Sequence, residues 1–344
     1  MTLSSPAKKA LRQALTVFVV CLAALIPPQG LADGVHFDRL FAPQDGLISR
    51  YEEPWRGEIC LNGRWQFQGD TDVTVPGDTA TPPGAWEKTA IKIPSPWNVN
   101  SFSMDQGEEG GDFRAYPSYP IEWEKLPAAW MRKVVAVPKD WVDGKIVLHL
   151  GAVAGKLVVY VNGRRVGAGF DVFFAQDFDV TRFLRFGEDN EILVKVISPK
   201  VFDRPGQYGR REYLSGSFWG THIAGIWQDV FLLFEPQVGV KDVFVEPLVN
   251  QNELRIEATV SNDGTVPADL TLSGTVRPWI NEAGTSVLDA PEVKWKLSGK
   301  AALELGAQKL TLQPGESRTL ALIAEVNGRL KLWSPESQIG RAHV

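Results

Sequence analysis

From residue 61 onward, apolar and polar positions alternate over short runs, and Gly, Pro and Asn cut the runs apart. Asn62-Gly63 marks a turn, after which Trp65 and Phe67 alternate with Gln66 and Gln68. Ile91-Lys92-Ile93 is stopped by Pro94 and Pro96. Runs at 131–137, 146–150 and 157–161 read as strands, the first ended by Pro138. Asn162-Gly163 follows at once and 164–166 returns, which predicts a tight hairpin because both turn residues need positive φ. Runs at 171–178, 192–197 and 230–234 complete a first set. No helical period persists beyond two turns. Many short strands with turn residues between them predict a β-sandwich or jelly roll.

A second pattern starts at Val240, after Glu235-Pro236. Val243 and Val245, then Leu254, Ile256, Ala258 and Val260, alternate cleanly, and Asn262-Asp263-Gly264 turns the chain. Runs at 270–276, 293–297, 310–312 and 320–326, with Leu303 and the turn Pro314-Gly315-Glu316, supply the rest. About 100 residues with some seven strands fit an immunoglobulin-like sandwich. The Cys-Trp-Cys core of a true immunoglobulin domain is absent from the sequence. The expected fold is therefore all-β: a jelly-roll (galactose-binding-like) sandwich over 57–235, then an immunoglobulin-like sandwich over 236–337. Leu332-Trp333-Ser334-Pro335-Glu336 reads as a late strand of a domain whose chain continues. The last residues, Ile-Gly-Arg-Ala-His-Val at 339–344, match one reading frame of a sequencing adapter, so 338–344 is read as a non-native tail.

The start of the chain follows a different rule. Lys8, Lys9 and Arg12 form a basic head, 14–26 is almost wholly apolar, and Pro27-Pro28 closes it. Such a span is short for a membrane helix and suits a secretory signal, with cleavage expected after Ala32. The mature chain is then secreted or periplasmic, with no membrane anchor after cleavage, and 33–56 is a leader segment. Tyr51 and Trp55 are its residues expected to pack on the first sandwich. Losing three basic residues and no acidic one takes the net charge from -5 to -8. That argues against a nucleic-acid or anionic-membrane partner. Only Cys60 would remain, so no internal disulfide supports the fold.

Eight segments in order carry a resemblance. They are Leu61-Asn62-Gly63-Arg64-Trp65-Gln66-Phe67; Ile93-Pro94-Ser95-Pro96-Trp97-Asn98; Trp130-Met131-Arg132-Lys133 with Val137-Pro138; and 159–167, around Val161-Asn162-Gly163. Asp177-Phe178-Asp179-Val180-Thr181, Gly187-Glu188-Asp189-Asn190, Gly225-Ile226-Trp227-Gln228-Asp229-Val230 and 332–336 follow. Together they resemble the N-terminal half of glycoside hydrolase family 2, which holds β-galactosidases, β-glucuronidases and β-mannosidases. Gln228 stands where the family pattern has Arg.

The resemblance implies hydrolysis of a terminal β-glycosidic bond with retention, which needs two carboxylates about 5 Å apart. In the family both sit on a (β/α)8 barrel that follows the two sandwiches. No catalytic residue, metal ligand or cofactor is therefore expected here, and a β-linked carbohydrate and a C-terminal barrel of the parent chain are the expected partners. The family's β-galactosidase-type Asn and Asp positions fall near Tyr116 and on Ser217, so that pocket rim is not expected. Aromatic rings suit the apolar face of a pyranose. The residues expected to contact sugar or barrel are Tyr116, Tyr119, Tyr208, Arg210, Tyr213, Trp219 and His222, with 202–222 the richest region. Two alternatives stand beside this reading: a stand-alone carbohydrate-binding protein, and a module that only docks the barrel.

Overall fold

The computed structural model describes residues 47–48, 51–98, 119–202, 204–205, 211–212, 223–281 and 295–332. These residues form strands and short 3-10 turns, with no long helix and none able to cross a membrane. The first sandwich contains β1 (Gly57–Cys60), β2 (Gly63–Asp70), β3 (Ile91–Ile93), β4 (Ala128–Ala136), β5 (Lys145–Leu150), β6 (Val153–Val161) and β7 (Arg164–Asp171). It continues through β8 (Gln176–Asp179), β9 (Asp189–Ile197), β10 (Arg204–Pro205), β11 (Arg211–Glu212), β12 (Gly225–Ile226) and β13 (Val230–Glu235). One sheet has the order β1-β13-β5-β8; the other runs β12-β6-β9-β4-β2-β3, with β7 also on β6. Every pairing is antiparallel.

Strand alternation sends one set of side chains inward. Phe67, Met131, Leu148, Val159, Val194 and Leu232 meet between the sheets, each from a different strand. Burial of each such side chain contributes about 1.5–3 kcal/mol. Trp123 stacks on Phe67 with ring centroids 3.8 Å apart and is buried in the same core. The hairpin at Asn162-Gly163 forms as expected, with φ of 50 and 76 at its two residues. Asn162 then accepts the Glu191 N–H and donates to Asn190 and to the Phe183 carbonyl, so one residue sets the turn and ties it to β9.

Part of each outer face is covered. On the larger sheet, Trp130, Val158, Tyr160 and Leu193 lie beneath Ala80 and Trp86 of the 71–90 segment. Under the same cover Lys195 Nζ meets Asp70 Oδ2 at 2.9 Å, with both side chains almost fully buried. The Trp130 indole N–H also donates to Asp70. On the smaller sheet Val147, Phe231 and Leu233 pack with Ile48. The leader thus holds the first sandwich through Ile48. Trp55 is 67% exposed, and the Tyr51 hydroxyl accepts the N–H of Leu297 further along the chain.

The run at 171–178 is not one strand. β7 ends at Asp171 and β8 starts at Gln176. Asp171 bonds the next three backbone N–H groups and so competes with strand pairing.

Beyond β13 the chain forms β14 (Val238–Leu248), β15 (Glu253–Asn262), β16 (Ala268–Val276), β17 (Trp279–Asn281), β18 (Trp295–Leu297), β19 (Leu303–Leu312) and β20 (Ser317–Glu325). A sheet of order β14-β15-β20 faces the pair β16-β19 across Leu254, Val260, Leu272, Leu305, Leu312 and Leu322. β17 pairs with β18. Val243 and Val245 are in register with Ala258 and Ile256, which places them on the core side of the sheet. They are nevertheless 53% and 52% exposed. Their alternation predicted a buried face; the two-stranded partner sheet leaves that face half bare.

Candidate functional site

Chemistry-bearing side chains gather at the turn joining β7 to β8. Asp171 Oδ1 accepts the N–H groups of Val172, Phe173 and Phe174 at 2.6, 2.8 and 2.9 Å. Those bonds, the one from Phe174 foremost, hold its carboxyl below the ordinary carboxylate range. The Trp227 indole N–H donates to the Val172 carbonyl at 2.7 Å, which ties the turn to the chain entering β13. Phe173 meets Trp227 edge-on at 6.2 Å, and Phe170 meets Phe202 edge-on at 5.2 Å. Despite these contacts Phe174, Phe173 and Phe170 are 73%, 43% and 41% exposed. The result is a ledge of phenyl rings on a turn fixed by its own carboxylate. Rings held this way can stack on an apolar surface without first losing much freedom.

Trp227 has its place because of Gly225. There φ is +119, and a Cβ would lie 3.1 Å from the Trp97 ring. A glycine lets β12 cross that indole and pair with Val153 and Ala154 of β6. Asn98 Oδ1 accepts the Ala224 N–H from the other side. Asp229 accepts from the Asn62 side chain at 2.7 Å, and Asn62 accepts the Val230 N–H in turn. Asn62-Gly63 and 225–230, far apart in sequence, thus form one structural junction beside the ledge.

A concavity of ≈ 510 Å³ is lined by Val166, Phe178, Asp177, Asp179, Thr181 and Arg182. His149 Nδ1 lies 2.7 Å from Asp177. Asp179 accepts both the N–H and the hydroxyl of Thr181, and Thr181 accepts the Ile146 N–H, so this acid is used in holding a turn. Among the described residues no group of three or more His, Cys, Asp or Glu side chains could hold a metal ion.

Of the residues singled out from sequence, Tyr119 lies in the core. It is 4% exposed, its hydroxyl accepts the Lys92 N–H at 3.1 Å, and its ring stacks on Trp123 at 5.0 Å. Tyr116, Tyr208, Arg210, Tyr213, Trp219 and His222 lie outside the described residues, as does the Gly-rich acidic stretch 105–112. Sequence reasoning did not single out Phe170, Phe173 and Phe174 as site residues. The available clue was the adjacent pair Phe173-Phe174, two residues after Asp171: adjacent rings cannot both face one core from a strand.

The family model described as glycosyl hydrolases family 2, sugar binding domain, matches residues 59–236, from β1 through β13. The chain belongs to glycosyl hydrolase family 2. Its first sandwich is the sugar-binding domain of that family. A β-galactosidase of Priestia megaterium is 27% identical over 220 residues, covering 59% of this chain and 19% of that protein. A β-galactosidase of Arthrobacter sp. is 25% identical over 264 residues, 68% of this chain and 23% of that protein. The chain therefore spans about a fifth of the length of these curated relatives. Among solved structures, the fold is similar to β-glucuronidase 2 of Bacteroides uniformis, with a TM-score of 0.57 at 24% identity. That match covers 82% of this chain and 29% of the glucuronidase chain. Within the family 2 domain, the motif residues Asn62, Asn162, Gly225 and Asp229 are joints of the scaffold, whereas the phenyl ledge is what it offers to solvent.

Proposed function

We propose that this chain is the N-terminal, non-catalytic part of a secreted family 2 glycosidase that cleaves terminal β-glycosidic bonds. In this reading 57–235 is a jelly-roll sugar-binding domain, 236–337 is immunoglobulin-like, and the acid and nucleophile belong to a barrel of the parent protein beyond these residues. The observation that carries the proposal is the family match across the whole first sandwich. The coverage of 19–29% of the relatives' lengths supports the place of these residues within a larger enzyme. The phenyl ledge supplies a rim on which the apolar face of a pyranose stacks.

The purified chain is titrated with methyl β-galactoside, β-glucuronide and β-mannoside and followed by NMR. Saturable shifts for at least one sugar, weakened in Phe173→Ala and Phe174→Ala, support sugar contact at the ledge. No shift at millimolar sugar leaves a module that docks and orients the barrel. Hydrolysis of an aryl β-glycoside by the chain, free of host enzyme, overturns the non-catalytic assignment. For export, N-terminal sequencing of protein recovered outside the cytoplasm should begin at Asp33. Recovery only inside the cell with Met1 retained would end that part of the proposal.

A further inference from the structure

β13 ends at Glu235 and β14 begins at Val238, so only Pro236 and Gln237 join the two sandwiches. The hydrophobic clusters stop at this joint. Every described buried apolar cluster lies wholly before it or wholly after it. What crosses the joint is charge. Lys241 Nζ lies 2.9 Å from Glu235 and 3.1 Å from Asp263. Asp263 lies 3.5 Å from Lys145. Lys145 is the cross-strand partner of Glu235 on the neighbouring strand, so backbone pairing, not an ion pair, brings the two ends of the series together. Four charges of alternating sign thus form a ring, two from each sandwich. Arg56 leans on Glu235 at 3.5 Å and on Glu52 at 2.7 Å, extending the ring into the leader.

We propose that this ring is an electrostatic latch that fixes the angle between the two sandwiches. The ψ of Pro236, whose ring locks φ, and the φ and ψ of Gln237 are too few torsions to let the units separate, but they do let them tilt. With no described apolar cluster across the joint, a tilt is opposed mainly by the ring and by the Tyr51 hydroxyl on the Leu297 N–H. Alternation makes the ring specific: its ion pairs join only opposite charges, and a tilt pulls on Asp263–Lys145 and Lys241–Glu235, the two pairs that bridge the units. At high salt the screening length falls to about 3 Å, comparable to the spacings in the ring, so the latch is released by ionic strength.

Nitroxide labels at Asp140→Cys and Glu304→Cys, in a chain with Cys21 and Cys60 changed to Ser, report the angle by pulsed electron resonance. One narrow distance at low salt should broaden in 1 M salt (about 3 Å screening length). Asp263→Asn, which keeps the shape and removes the charge, should be broad at low salt and change little on adding salt. Lys145→Met, on the other sandwich, should behave the same way. Circular dichroism matching the parent shows that each variant has folded. A narrow low-salt distance in both folded variants overturns the latch. So does broadening by salt that is as large in the variants as in the parent.

Discussion

Single residues here do structural work that their type alone does not announce. Asp171 fixes the phenyl-bearing turn with one carboxylate oxygen. Its lowered folded-state pKa means the unfolded chain binds the proton more readily, so the contribution is present above about pH 4 and lost as pH falls through the folded value. The carboxylate faces solvent, so Asp171→Ala should cost only about 1 kcal/mol at neutral pH, and the gap from the parent should close in acid. Urea unfolding at pH 7 and pH 3 checks both. The buried Asp70–Lys195 pair belongs at the other end of the range. Lys195→Met leaves a carboxylate stranded under the 71–90 cover and should cost about 3–5 kcal/mol, measured the same way. A loss below about 1 kcal/mol would mean that water reaches the pair. The hairpin at 162–163 was legible because Asn-Gly is among the few pairs at ease with positive φ at both positions. The turn at 171–175 was not, because its phenylalanines imitate a strand. Only the hydrogen bonds of Asp171 reveal the break.

At the scale of elements, alternation located most strands of the first sandwich to within a few residues. β4 and β6 begin earlier than their apolar runs because Ala128, Ala129 and Ala154 pair and bury without advertising themselves as strand formers. Alternation does not report what lies opposite. Val243 and Val245 carry the same pattern as Leu254 and Val260, yet only the latter are covered. Changing both to Thr retains β-branching and should alter stability by under about 0.5 kcal/mol. The change should also reduce self-association seen by light scattering, because half-bare valines and Phe244 on an edge strand invite pairing with another chain. Leu254→Ala, one strand inward, should instead cost about 2–5 kcal/mol. Tyr119 shows the same blind spot for the site: an aromatic beside a polar loop looks like a ligand contact until its neighbours prove to be Trp123 and the Lys92 backbone.

For the molecule as a whole, the described apolar clusters divide cleanly at the joint, and the cluster of the first sandwich is far larger. Calorimetry should therefore resolve two transitions, the smaller unit melting first, and the midpoint gap should be insensitive to Phe173→Ala. One sharp transition whose calorimetric and van't Hoff enthalpies agree would show that the units fold as one. The family 2 assignment was legible from sequence because scaffold joints such as Asn62, Gly225 and Asp229 are fixed by backbone geometry and recur as short motifs. The ledge was not, because exposure depends on which segments fold over it.

The short connection between β13 and β14 makes the second sandwich a lever. β14 is 11 residues long and starts almost at the pivot. At about 3.4 Å per residue its far end stands roughly 36 Å away, so a swing of about 10° there moves the tip by about 6 Å, more than the spacing between neighbouring strands. Small adjustments at the pivot are thereby enlarged to distances that decide whether anything attached further along meets the phenyl rings or misses them.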